Sequence, residues 1–523
     1  MDKPVRNILF IMADQLRWDY LGYAGHPSIR TPNIDKLAQR GVNFTNSFVQ
    51  GTVCGSSRAS FYTGRYVSSH GATYNNYPLR ADEWTLGDHL GEAGMRNALI
   101  GKTHMRVLAD ELSRIGIDPT SKIGQRRMQA GFEPYERDDG LHPDMSVNPN
   151  LRYNQVLRDS GFSGKNPWHE WANSAIDDNG DVVSGWYMRN AHLPARIPEQ
   201  FSETAYMTDR AMQFMQEESN HPWCMHLSYI KPHWPYMAPE PYHNMYGVED
   251  CIRPVRDNGE RQSGNPVYQA YQQSLESRTF AEDECRQHVI PTYMGLISQL
   301  DDHLGRLFKY MENQGILDET MIVFTSDHGD YLGDHWLGEK EMFYEQALRI
   351  PMLIVDPRES ADETRGTTCT DMVESIDLIP TLMDAAGFNW HNHILEGKSL
   401  MPAIGGESVA VEGVFCELDY SLKKARHRLQ VEPQQSRGFM LRTDDWKYCV
   451  YKGFDPQLFD LKADPAELND LGADFNHRSI RSDLDGLIID FYQSRKYRLG
   501  ISDAIISSRT GRAAEFGYLF GHW

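Results

Sequence analysis

Asn7-Ile8-Leu9-Phe10-Ile11-Met12-Ala13-Asp14-Gln15 begins as an unbroken apolar run and ends on an acid and an amide. The run shows neither a helical nor an alternating period. Closed by polar residues, it reads as a strand buried on both faces, as in a parallel sheet covered by helices. Asp14 then stands at the carboxyl end of that strand, where open α/β sheets bind their ligands. An acid in this place also suits a turn or a helix cap.

The same rhythm recurs down the chain. Trp223–Leu227, Met321–Phe324 and Ile350–Val355 read as further buried parallel strands. Pro32–Arg40 has Ile34, Leu37 and Ala38 on one helical face, with Thr31 as N-cap and Gly41 as stop. Ile290–Gly315 and Ser375–Gly387 also read as helices. Strands alternating with helices predict an α/β fold, a large mixed but mostly parallel sheet sandwiched by helices.

The length, 523 residues, calls for two domains or one large domain with an appendage. The predicted division is a catalytic α/β domain over 1–408 and a smaller C-terminal α+β subdomain over 409–523. Residues 106–200 carry few apolar periods, many Asp, Asn and Gly, and Trp168, Trp171 and Trp186. They read as an insertion or lid over a pocket. Gly413–Leu418, Phe439–Thr443 and Trp446–Tyr451, the last two joined by Asp444-Asp445, predict a small antiparallel sheet. A helix over Arg481–Arg495 and an aromatic tail, Phe516–Trp523, follow. Docking of that tail on a second copy makes a homo-oligomer the expectation, with packing on its own domain as the equal alternative.

A net charge of −21 argues against nucleic acid or anionic membranes as partners. Seven scattered Cys, without a C-x-x-C pair, exclude a disulfide framework and a zinc cage. No charged-then-apolar leader precedes Ile8, and no apolar run approaches the ~18 residues of a membrane span. A reduced, cytoplasmic setting is the default expectation.

Two motifs at strand ends suggest a metal. Asp14-Gln15 follows the first strand, and Asp327-His328 follows Met321–Phe324. Together they offer an oxygen-rich set with one imidazole, which suits Mn²⁺, Mg²⁺ or Ca²⁺ better than zinc. The imidazole favours Mn²⁺. Either motif alone reads more readily as a turn or cap than as a metal site. A third segment is Cys54-Gly55-Ser56-Ser57-Arg58-Ala59-Ser60-Phe61-Tyr62-Thr63-Gly64-Arg65. A nucleophile opening a helix sees the positive end of its dipole, and Arg58 lies one turn on.

That segment closely resembles the signature of the sulfatase family, Cys-x-Pro-Ser-Arg followed by x-x-x-Leu/Met-Thr-Gly-Arg. Cys54, Ser57, Arg58, Thr63, Gly64 and Arg65 match in order; Ser56 stands where the family has Pro or Ala. The resemblance implies an alkaline-phosphatase-like fold and a formylglycine nucleophile made from Cys54 by a maturation enzyme. It also implies one metal held by Asp14, Gln15, Asp327 and His328 with residue 54. Gly101-Lys102-Thr103-His104 is similar to the family's Gly-Lys-x-His, placing Lys102 on the substrate oxyanion and His104 on the formylglycine. Lys231-Pro232-His233-Trp234-Pro235 and Gly338-Glu339-Lys340 resemble two later motifs, whose His233 and Lys340 reach the leaving group. Arg58 is expected to hold non-bridging oxygens together with Lys102 and the metal.

Asp14-Gln15, Cys54-Gly55 and His70…Asn75 resemble bacterial phosphonate monoester hydrolases, in which Asn75 would contact the substrate anion. Lys102 and His104 follow the sulfatase pattern instead. The implied activity is therefore hydrolysis of aryl or alkyl sulfate esters, with phosphonate monoesters or phosphodiesters as the alternative and cross-reactivity expected. A phosphotransferase related to alkaline phosphatase would want Ser or Thr as nucleophile and two metal sites.

Overall fold

The computed structural model describes residues 3–140, 142–145, 150–218, 221–262, 264–519 and 521. The large sheet is built from β1 (Asn7–Ala13), β2 (Val42–Phe48), β3 (Arg96–Gly101) and β4 (Glu133–Arg137). After a small hairpin, β5 (Ser174–Ile176) and β6 (Val182–Ser184), it adds β7 (Trp223–Tyr229), β8 (Thr320–Ser326), β9 (Arg349–Ile350), β10 (Met352–Val355) and β11 (Thr368–Glu374). Its order is β11-β2-β10-β8-β1-β7-β3-β4, with β9 paired to β2. The central strands β8, β1, β7 and β3 are mutually parallel. Their carboxyl ends therefore open side by side.

β1 explains why its sequence is apolar without a period. Ile8, Phe10 and Met12 enter one core cluster, Leu9, Ile11 and Ala13 the other. The first cluster contains Phe61 of α2 (Cys54–Thr63) and Ile379 of α5 (Leu378–Ala385). The second contains Phe214 of α3 (Glu203–Glu217) and a stripe of α4 (Asp283–Asn313) through Tyr293, Ile297, Leu300 and Leu304. Truncating a residue such as Ile11 to Ala costs roughly 2–5 kcal/mol at a site this buried.

Three expectations need correction. Ile350–Val355 is not a parallel strand: β10 runs antiparallel to both β8 and β2. A run buried on both faces looks the same whichever way it points. Residues 106–200 are not wholly an insertion, because Glu133–Arg137 joins the sheet as a parallel edge strand beside β3. An edge tolerates Pro134 and polar residues, so the apolar signal is missing. Finally, α1 (Pro32–Ala38) is not capped by Thr31, whose hydroxyl bonds Asp35. The Asn33 and Ile34 N–H groups donate instead to Asp301 of α4, at 3.0 and 2.7 Å.

The C-terminal region forms a four-stranded antiparallel sheet, β12 (Val414–Asp419), β13 (Arg437–Arg442), β14 (Trp446–Tyr451) and β15 (Phe454–Asp460). Helix α6 (Arg478–Gln493) covers it through Leu484, against Leu441, Tyr448 and Leu458. Lys447, buried on β14, bridges Glu345 and Glu467 at 3.0 and 2.6 Å and ties this sheet to the catalytic layer. Of the aromatic tail, Phe516, Tyr518 and Leu519 are exposed; Phe520 and Trp523 lie outside the described residues.

Candidate active site

Each central strand delivers one part of the site. Asp14 follows β1, Asp327 and His328 follow β8, Lys102 and His104 follow β3, and His233 follows β7. Cys54 comes from another direction, as the first residue of the buried helix α2. Ligand atoms of Asp14, Cys54, Asp327 and His328 all lie within 4.8 Å of one another, and all four residues are buried. Cys54 Sγ is 3.1 Å from His328 Nε2 and 3.9 Å from Asp14 Oδ1.

Three of the four donors are anionic when ionised, and the fourth is an imidazole. That set fits a single divalent cation. Arg58 reinforces the fit from behind. Its Nε donates to Asp327 Oδ2 at 2.7 Å and its second terminal nitrogen to Asp14 Oδ2 at 3.1 Å. The backbone N–H of Gln15, held at a φ of 63°, donates to Asp327 Oδ1. Asp14 Oδ1 is left turned towards Cys54 and His328.

Two residues sit differently from expectation. Arg58 does not face a substrate. It is fully buried, spends its remaining donors on the Lys102 carbonyl and Ser228 Oγ, and is absent from the cavity wall. Its place one turn into α2 puts it beneath the carboxylates. Gln15 was expected among the metal ligands, but its amide is committed elsewhere. Its oxygen accepts from Lys340 Nζ at 2.9 Å and its nitrogen donates to Asp330 Oδ2.

The cations are ordered by those anions. Lys102 Nζ lies 2.6 Å from Asp14 Oδ2; burial opposes its charge, but Asp14 and Cys54 raise its pKa. Lys340 is likewise raised against burial, by Cys54 first. It donates to His233 Nε2 at 3.1 Å. The His233 Nδ1–H donates to the Trp234 carbonyl at 2.7 Å, which makes Nε2 the acceptor. Burial, then Lys340, push this imidazole down to about 3, so it is neutral. The Cys54 thiol is held well below its ordinary range: burial would raise it, but Lys340, Lys102 and His328 prevail.

The site opens into a cavity of about 700 Å³. Cys54, Asn75, Lys102, His104, His233 and Lys340 line its inner part. Asn75 Oδ1 accepts the Gly55 N–H at 2.7 Å, and a Cβ on Gly55 would come within 2.9 Å of Asn75 Cα. Only glycine allows that approach. The outer wall was legible in the sequence only in part, through Trp168 and Trp186 of the predicted lid segment. Trp168, Trp186, Trp234 and His142 form one side. Tyr74, Glu341 and Lys423 form another: Glu341 accepts from Tyr74 Oη at 2.9 Å and from Lys423 Nζ at 2.8 Å. Asp139 was also missed. Its Oδ1 accepts the Thr103 and His104 N–H groups at 2.9 and 3.1 Å, holding His104 at a φ of 48°. No motif marks Tyr74, Glu341, Lys423 or Asp139; only the Asp138-Asp139-Gly140 turn hints at a tight corner.

The family model described as Sulfatase matches residues 6–388. The chain belongs to the sulfatase family. A second model, N-sulphoglucosamine sulphohydrolase, C-terminal, matches residues 333–493. This sulfatase-family chain is 30% identical over 499 residues to a multifunctional alkaline phosphatase superfamily protein of Trinickia caryophylli, covering 90% of this chain and 91% of that one. It is 26% identical to an arylsulfatase of Clostridium perfringens, covering 89% and 90%. Among solved structures it resembles a phosphonate monoester hydrolase from Silicibacter pomeroyi, with a TM-score of 0.82, 26% identity, and 94% and 96% covered. The alkaline-phosphatase-like sheet with its C-terminal antiparallel subdomain is thus the family's fold, and the relatives are hydrolases.

Proposed function

We propose that the protein hydrolyses sulfate monoesters of aryl or alkyl alcohols, with residue 54 as nucleophile in its formylglycine form. The observation that carries this reading is the convergence of Asp14, Asp327 and His328 on Cys54, which lines a cavity that also receives Lys102, His104, His233 and Lys340. A divalent ion held by Asp14, residue 54, Asp327 and His328 would supply Lewis-acid stabilisation of charge on the ester oxygens. The hydrated aldehyde would supply a hydroxyl for attack and a second hydroxyl for release.

The chain's own groups account for the rest. Arg58 fixes the two carboxylates in place. Lys102 and the Asn75 amide offer donors to non-bridging oxygens. Lys340 holds a proton beside His233, and the neutral His233 Nε2 sets where that ammonium points. Lys340 is thereby placed to protonate the departing alkoxide. His104, oriented by Asp139, takes the proton of the second hydroxyl.

Phosphonate monoesters and phosphodiesters are the second reading. They too present one negative charge on a tetrahedral centre. The TM-scores of 0.82 and 0.80 with two phosphonate monoester hydrolases favour them, whereas Lys102 and His104 favour sulfate. The test has two parts. Mass spectrometry of the tryptic fragment Gly41–Arg58 should show a loss of about 18 Da at Cys54, the change of a thiol to the aldehyde. An unmodified thiol in active protein would sink the formylglycine reading. Then kcat/KM for 4-nitrophenyl sulfate should exceed that for 4-nitrophenyl phenylphosphonate; the reverse order makes phosphonates the substrates.

A further inference from the structure

A second cavity, about 340 Å³, lies against the first turns of α4, away from the active site. Val248, Ile252 and Ile290 give it an apolar lining, and Arg253, Arg256 and Arg286 open onto it. Arg256 and Arg286 are nearly buried, each side chain 11% exposed. They share a single oxygen. Asp283 Oδ1 is 2.9 Å from Arg256 and 3.3 Å from Arg286, and the Asp283 side chain is itself 71% exposed. Arg256 also donates to the Ala281 carbonyl at 3.3 Å, and a second carboxylate acting on it is Asp334. Its oxygens are taken by Arg17 at 2.7 Å and by the Val255 N–H at 2.8 Å. Arg253 is exposed, with no ion pair among the described residues.

Two guanidiniums taken out of water with one hydrated carboxylate oxygen between them leave positive charge uncompensated. Burial and Arg286 both act against the charge on Arg256. The N-terminus of α4, a helix of 31 residues, adds its positive end to the same place. Such an excess stands out in a chain of net charge −21. Planar guanidinium forks match the oxygens of sulfate and phosphate in pairs.

We propose that this cavity binds a tetrahedral oxyanion, sulfate or phosphate, between Arg253, Arg256 and Arg286. The site also bears on the active site. Arg286 Nε donates to the Leu332 carbonyl at 3.2 Å, and the Arg256 guanidinium lies 4.2 Å over the Trp336 ring. Both contacts hold the loop that runs from His328 to Lys340. An anion that fixes the two arginines steadies that loop. The inference does not depend on which ester is hydrolysed.

The test is calorimetric titration of the full-length chain with sodium sulfate, sodium phosphate and sodium chloride at matched ionic strength. The chain carries Lys102→Ala, which weakens anion binding in the catalytic pocket. The expected result is one saturable site for sulfate or phosphate and none for chloride. Adding Arg256→Gln should weaken it at least tenfold. Adding Arg253→Ser, an exposed change that leaves the fold alone, should weaken it severalfold. Preference for sulfate would make the ligand the product of the proposed reaction; preference for phosphate would make it inorganic phosphate. Absence of saturable binding, an equal response to chloride, or binding untouched by both arginine substitutions would overturn the proposal.

Discussion

The floor of the active-site cavity and its outer wall are built on opposite principles. At and beneath the floor the cations are held at short range: Arg58 by Asp14 and Asp327, Lys102 by Asp14, and Lys340 by hydrogen bonds to the neutral Gln15 and His233. These groups come from adjacent strand ends and one helix, so their spacing is set by the sheet. The wall is made of Trp168, Trp186, Trp234 and His142 opposite Tyr74, Glu341 and Lys423. Its parts come from the segment after α2, the 106–200 segment, the loop after β7, the loop before the helical turn Glu345–Leu348 and the C-terminal region. In the proposed reaction the floor carries the chemistry in a pre-paired array, and the wall meets the alcohol or phenol through its aromatic faces.

If that division is right, floor substitutions should cost far more than wall substitutions. Cys54→Ala should lower kcat/KM on the order of 10⁴-fold or more, as removing a nucleophile does elsewhere, with the melting temperature little changed. A nearly active Cys54→Ala protein would break the comparison outright. Arg58→Met should act chiefly on stability. It strands two buried carboxylates, a loss of about 3–5 kcal/mol in urea unfolding. Stability near wild type would mean that the carboxylates find another partner.

Lys340→Ala should cost roughly 10²–10³-fold in kcat, and more for alkyl than for 4-nitrophenyl esters, because a poor leaving group needs its proton most. An equal loss for both would assign Lys340 to charge stabilisation alone. Asp139 tests the boundary between floor and wall. Arg137 and His104, against burial, hold its carboxyl down at about 2, from an ordinary 3.8. A depressed folded pKa stabilises above the ordinary value, and the effect fades as pH falls towards 2. Asp139→Asn should therefore cost about 2 kcal/mol at pH 7, with the difference from wild type vanishing in acid unfolding curves. The smallest effect is expected on the wall. Trp234→Ala should raise KM for aryl esters by roughly 3–10-fold, about 1 kcal/mol of ring contact, and leave that for methyl esters unchanged.

By itself the sequence determined four of the buried strands, β1, β7, β8 and β10, the α/β class and the motif residues around Cys54. A strand buried on both faces must be apolar throughout, and groups at strand ends follow directly after such runs, as Asp14 and Asp327 do. Ordered motifs did the same for Cys54, Lys102, His104, His233 and Lys340. Only the tertiary structure decided directions and orientations. β10 runs antiparallel, since apolarity has no sense along the chain. Glu133–Arg137 is an edge strand, since edges need no apolar signal. Arg58 faces the carboxylates and Gln15 faces Lys340, because a helix residue one turn on and a left-handed backbone aim side chains in ways that spacing does not encode. Asp139, Glu341 and Lys423 act through partners far away in sequence, and long-range hydrogen bonds leave no local period to read.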